Sequence, residues 1–113
     1  MTESEFLVAA EATLGALEAA LERANDKDEI DVECSRRGNV LEIEFIDNGS
    51  KIIVNSQAPM QELWIAAKSG GFHYKLQGNV WRNTRDDSEF FSALSAMVNE
   101  QGGAALALRP EAD

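Results

Sequence analysis

The chain has 113 residues, 44% of them hydrophobic and 27% charged, proportions of a folded globular protein that exclude a disordered one. At this length the expectation is one domain, residues 1–113, able to bury about 65% of its unfolded surface. The net charge of −10 is unevenly placed: residues 1–33 carry ten carboxylates against Arg23 and Lys27, a net −8, a field that attracts cations and basic surfaces and argues against nucleic acid or anionic membrane as a partner.

The opening Met1-Thr2-Glu3-Ser4-Glu5 has no basic and no apolar region of the signal-peptide kind, so an intracellular protein is expected. Thr2 and Glu5 have the spacing of a capping box, which predicts a helix start. Phe6, Ala10, Leu14, Leu17, Leu21 and Ala24 recur at helical spacing as its buried stripe. Glu11, Glu18 and Glu22 fall on a different, outward stripe. Asn25-Asp26-Lys27-Asp28 predicts the end of this helix.

From there the period changes to two. Ile30, Val32 and Cys34 alternate with Asp31 and Glu33. This makes Cys34 a small core-side residue rather than a reactive thiol, and as the single cysteine it excludes an internal disulfide framework. Arg36-Arg37-Gly38-Asn39 reads as a turn, followed by a strand with Leu41, Ile43 and Phe45 inward. Asp47-Asn48-Gly49 is a hairpin signal leading into Lys51–Asn55. Leu63, Ile65 and Ala67 mark the inward side of a fourth strand, Phe72, Tyr74 and Leu76 a fifth, and Trp81 a short sixth. No apolar run approaches the roughly 20 residues of a membrane span.

Asp86 and Glu89 predict a second capping box. Phe90, Leu94, Met97 and Val98 predict the stripe of a second helix, which Gly102-Gly103 should stop. Residues 104–113 form a C-terminal tail whose apolar part, Ala104–Leu108, is expected to pad the gap between the helices. The order is helix, about six strands, helix, joined by short turns. That is an α+β class: a two-layer sandwich with both helices on one face of an antiparallel sheet, the other face open.

Function should therefore lie on the acidic helix and its adjoining strand, or on the open sheet face. Asp26–Asp31 fails as an EF-hand, because its fifth position is Ile30 and its sixth is Asp31 instead of glycine. No His-x-x-x-His or Cys-x-x-Cys spacing offers a zinc site. What remains is a set of solvent-facing carboxylates, suited to hard cations such as Fe³⁺, Mg²⁺ or Ca²⁺ and able to accept Fe²⁺, weakly and with salt sensitivity. The residues alone leave open a plain solvated face and a binding surface. Trp64, between Leu63 and Ile65, should point outward with Glu62 and Lys68, either as a partner-binding anchor or half-covered by its neighbours. Asn55 and Gln57 could flank it. His73, the only histidine, should point outward beside Lys75, and no nucleophilic pair or triad is visible.

The block Asn48-Gly49-Ser50-Lys51-Ile52-Ile53-Val54-Asn55-Ser56-Gln57-Ala58-Pro59, continuing through Leu63-Trp64-Ile65-Ala66 to Gly70-Gly71-Phe72-His73-Tyr74, closely resembles the frataxin family, and its bacterial CyaY branch most of all. The resemblance runs from Ser4-Glu5-Phe6 to the second helix. It implies an α–β sandwich that binds iron weakly and acts in iron–sulfur cluster assembly, docking on the cysteine desulfurase and its scaffold protein. Carried over by position, the implied metal ridge is Glu18, Glu22, Asp26, Asp28, Glu29, Asp31 and Glu33, with His73 matching a further metal contact of some bacterial members. The implied partner surface is Asn55, Gln57 and Trp64, with Lys68 nearby. Leu7 and Gln61 stand where a relative has histidines, so metal sites built on those are not expected. The acidic run is also thinner at Arg23-Ala24-Asn25. Iron is thus the expected ligand, with no organic cofactor, in a cytoplasmic monomer without catalytic turnover, metal-driven oligomers being left open. A ferroxidase and a purely acidic interaction module are the alternatives.

Overall fold

A computed structural model describes residues 1–110; Glu111, Ala112 and Asp113, the end of the predicted tail, lie outside the described residues. Helix α1 spans Glu3–Asp26, and the capping box forms as expected: the Glu5 N–H donates to Thr2 Oγ1 at 3.1 Å and the Thr2 N–H to Glu5 Oε1 at 2.8 Å. All six residues of the expected stripe are buried, joined by Ala20. Six strands follow, β1 (Val32–Arg37), β2 (Val40–Phe45), β3 (Lys51–Gln57), β4 (Glu62–Ala67), β5 (Gly70–Gln77) and β6 (Val80–Asn83). They pair antiparallel in simple sequence order, so β1 and β6 are the edges. Helix α2 spans Phe90–Gly102.

Alternation fixes the two faces of the sheet. Leu41, Ile43, Phe45, Ile52, Val54, Leu63, Ile65 and Tyr74 point to the helices and are buried with Phe6, Leu14, Leu17, Leu21, Phe90, Leu94 and Val98. Among the described residues no helix covers the opposite face. Gly103, left-handed at φ 64°, stops α2, and Gly102 within its last turn is needed for packing: a Cβ there would lie 2.8 Å from the Phe45 ring, so glycine lets the helix end close on the sheet. The tail does pack back on the helices. Asn99 holds Leu106 by both its N–H and its carbonyl, Ser95 Oγ accepts from the Leu108 N–H at 2.9 Å, and Leu108 is buried.

Two local expectations are corrected. Arg36 and Arg37 are not in a turn; β1 runs on through them, Arg37 pairs with Val40, and the turn is Gly38-Asn39 alone. The cap of α2 is Glu89, whose carboxylate accepts from the Phe91 and Ser92 N–H groups. Asp86 instead accepts from Ser88 in the preceding turn, where Asn83 Oδ1 takes the Arg85 and Asp86 N–H groups. The helix starts later because Asp87, left-handed at φ 65°, cannot continue a right-handed helix from Asp86.

Candidate functional site: an acidic edge and an aromatic platform

The α1–β1 corner is a tight, backbone-held junction. The N–H groups of Lys27, Asp28 and Glu29 donate to the carbonyls of Arg23, Asn25 and Ala24, with Asp28 in the left-handed region at φ 57°. Asn25 then clamps the incoming strand: its Nδ2 donates to the Val32 carbonyl at 2.9 Å and its Oδ1 accepts from the Val32 N–H at 3.0 Å. This places Asp26, Asp28 and Glu29, all exposed, at the C-terminal end of α1, where the helix dipole is itself negative. Asp31 and Glu33 are exposed on the strand side. Glu18, Glu22, Asn25, Val32, Glu33 and Cys34 line a groove of about 330 Å³ between α1 and the β1 edge.

The ridge differs from its sequence outline at both ends. Glu33 lies on the open face of the sheet, directly opposite Glu44 of β2, so the acidic surface wraps around the β1 edge. Glu44 was missed, although the strand alternation that turns Glu33 outward also turns Glu44 outward. Glu18 is half-buried and paired with Arg36 at 3.1 Å, and Arg36 also pairs with Glu11. Among the described residues no cationic side chain is paired with Glu22, Asp26, Asp28, Glu29, Asp31 or Glu33. Nor, among them, does any group of three or more His, Cys, Asp or Glu converge as a metal cage. Burial, with the Glu18 and Glu22 charges beside it, pushes the Cys34 thiol up to about 11, so it is neither a thiolate nor a ready ligand near neutral pH.

The second region is on the open face. Cross-strand register sets Val40, Asn55, Trp64 and His73 in one row and Gln57, Glu62, Lys75 and Arg82 in the next. Trp64 and His73 stack face to face, ring centres 4.4 Å apart and planes 6° apart. Beneath them lies Glu62, a buried carboxylate. Its Oε1 accepts from the Trp64 indole N–H at 2.8 Å and lies 3.3 Å from His73 Nδ1, while Oε2 lies 3.3 Å from Lys75 Nζ. Burial opposes ionisation here, but the indole, the ammonium and the imidazole outweigh it and hold the carboxyl below its ordinary value. Gln57 Nε2 donates to Asn55 Oδ1 at 2.6 Å.

The expected site residues thus fall into two groups. Asn55, Gln57 and Trp64 share one surface, with Lys68 exposed in the turn at the end of β4. His73 belongs with them and not with the ridge: β5 is four strands from β1, about 19 Å at usual strand spacing. Glu62 appeared in sequence only as an outward neighbour of Trp64; its burial comes from residues on two strands.

An antiparallel meander covered on one face by its first and last helices, with acids gathered where α1 meets β1, defines an acidic two-layer α–β sandwich. A family model described as a frataxin-like domain matches residues 1–104. The chain belongs to the frataxin family, in its bacterial CyaY branch. It is 69% identical over 109 residues to the "Iron-sulfur cluster assembly protein CyaY" of Herminiimonas arsenicoxydans, covering 96% of this chain and 97% of the relative. The protein of the same description from Janthinobacterium sp. (strain Marseille) matches with the same identity and coverage. Among solved structures, frataxin from Psychromonas ingrahamii superposes with a TM-score of 0.87 at 29% identity, covering 96% of this chain and 99% of that one. Trimeric frataxin from the yeast Saccharomyces cerevisiae, described as complexed with ferrous iron, gives a TM-score of 0.66 at 27% identity, covering 81% and 83%. Among the described residues no helix is long and apolar enough to cross a membrane.

Proposed function

We propose that this chain is an iron-binding accessory protein of iron–sulfur cluster assembly in the bacterial cytoplasm, acting by docking and cation binding and not by turnover of its own. The observation that carries the reading is the set of exposed carboxylates at the α1–β1 corner, Glu22, Asp26, Asp28, Glu29, Asp31 and Glu33, none of them in an ion pair among the described residues. Their oxygens suit Fe²⁺ and Fe³⁺. Open to water and not drawn into a cage, they bind weakly and at several overlapping positions. The relatives described as iron–sulfur cluster assembly proteins, and the yeast frataxin with ferrous iron, support iron as the cargo.

The docking partner is the cysteine desulfurase with its scaffold protein. The ridge faces a basic surface of the partner, and the Asn55–Gln57–Trp64–His73 platform, with Lys68 at its margin, supplies the anchoring contacts. Because iron and a basic partner use the same carboxylates, bound iron changes partner affinity. An anaerobic Fe²⁺ titration followed by amide NMR, with Mg²⁺ at equal ionic strength as control, tests the metal half. Broadening confined to residues 18–33 is the expected result. Diffuse changes reproduced by Mg²⁺ would reduce the ridge to generic charge screening and remove iron from the reading.

A further inference from the structure

Arg36 sits on the helix-facing side of β1, in step with Val32 and Cys34, and its side chain is only 17% exposed. Its guanidinium is held on three sides. Nη1 donates to Glu18 Oε1 at 3.1 Å, Nη2 pairs with Glu11, and Nε donates to the Gly38 carbonyl at 2.8 Å. Glu11 and Glu18 are seven residues apart on α1, so one planar cation bridges two helical turns. We propose that Arg36 is a built-in counter-ion that closes Glu18, the first residue of the acidic ridge, together with the neighbouring Glu11, to metal and confines divalent cations to the ridge acids from Glu22 to Glu33.

The argument rests on the cation-binding reading of the ridge and adds to it which carboxylates are available. Arginine keeps its charge at every pH of interest, so this plug cannot be titrated away. With Nε fixed by the Gly38 carbonyl, the guanidinium cannot swing aside without leaving donors unpaired in a half-buried place. A divalent ion at Glu18 would compete with Arg36 for Oε1 and would approach the like charge of the guanidinium. A turn further on these obstacles end. Residues 22–33 hold six acids against Arg23 and Lys27, a net −4, with no cation paired to those acids among the described residues. Glu11, Glu18 and Arg36 together are only −1.

The test uses paramagnetic Mn²⁺ and amide NMR on the full chain, comparing wild type with Arg36→Gln and Arg36→Lys. Arg37→Gln, the same charge change on the opposite face of the same strand, is the control. Wild type and Arg37→Gln should broaden over residues 22–33 and spare Glu11 and Glu18. In Arg36→Gln the broadening should extend to Glu11 and Glu18, and apparent affinity should rise by about threefold to tenfold. Arg36→Lys, which keeps the charge but not the fork, should fall between, and it carries the test if the glutamine variant does not fold. Equal broadening patterns in wild type and a folded Arg36 variant would overturn the proposal, as would wild-type broadening at Glu11 and Glu18 as strong as at residues 22–33. Broadening in neither segment of any variant would instead overturn the ridge reading beneath it.

Discussion

The α1–β1 corner and the Trp64 platform both depend on carboxylates, and they resolve the charge in opposite ways. At the corner, six acids face water with no paired cation among the described residues, held close by backbone hydrogen bonds and the Asn25 clamp. On the platform a single acid, Glu62, is 6% exposed in its side chain and answered by an indole, an imidazole and an ammonium. A solvated cluster keeps unsatisfied repulsion, and a mobile cation can relieve it. A buried, fully partnered carboxylate has nothing left to bind; it fixes the geometry of what lies over it. On the proposed reading, the first arrangement serves as the metal surface and the second as the contact surface.

The sharpest way to break the contrast is Trp64→Ala. As the central aromatic of a preorganised row it should act as a hot spot, weakening binding to the desulfurase complex by about 2 kcal/mol, roughly thirtyfold. The melting temperature should change little, since the ring lies outside the core. Titration calorimetry against the assembled partner reads it; unchanged affinity would move the anchor elsewhere on the face.

Glu62→Ala comes next. Removing the acceptor should cost about 1 kcal/mol of stability, at the low end for a buried hydrogen-bonded group because the freed donors can reach water. The Trp64 indole N–H resonance should shift and broaden while that of Trp81, held by Thr13 at 2.9 Å, stays put. The pH dependence has a fixed sign. Because the folded-state value of Glu62 lies below the ordinary 4.5, its contribution is complete above that range and is lost as pH falls through the depressed value. Glu62→Gln should remove that dependence, and an unaltered acid limb in its melting profile would show that another acid is responsible.

The corner gives smaller effects because its charges are solvated. Raising salt from low to physiological ionic strength should raise the melting temperature by about 1–3 °C. Asp28→Asn with Asp31→Asn should flatten that dependence. A melting temperature independent of salt in the wild type would mean that the ridge is not strained by its own charge.

Much of this was legible locally and some was not, for physical reasons. The capping box, the helix stripe and the strand alternation depend on neighbours within a few residues, and they placed Phe6, Leu63, Trp64 and Tyr74 on the faces where they are found. Arg36 was misplaced because Arg-Arg-Gly-Asn looks like a polar turn, whereas pairing of Arg37 with Val40 carries the strand through it. Its two carboxylate partners lie 18 and 25 residues away, and no local pattern encodes that. Glu62 looked solvated for a similar reason: His73 and Lys75, which meet it, come from the next strand. The exposed acids of the α1–β1 corner were easy to gather from the sequence, because they are close in it; their continuation onto Glu44 needed the β1–β2 register.

Cys34 offers the finest probe of the comparison, because it lines the ridge groove without belonging to the ridge. Burial does most to raise its thiol to about 11, and Glu18 and Glu22 add to it. Alkylation by iodoacetamide should therefore stay slow until pH approaches that value. Glu18→Gln with Glu22→Gln should bring the apparent pKa down only part of the way, since burial remains. Stability follows with the opposite sign to Glu62. The unfolded thiol ionises near 9.0 and the folded one near 11, so stability falls as pH rises through that interval. Divalent cations bound at Glu22 should shift the thiol in the same direction as the two glutamines, because they too cancel negative charge beside it. If metal leaves the thiol unmoved while the glutamines shift it, the bound ion sits nearer Asp28 and Asp31 than the groove.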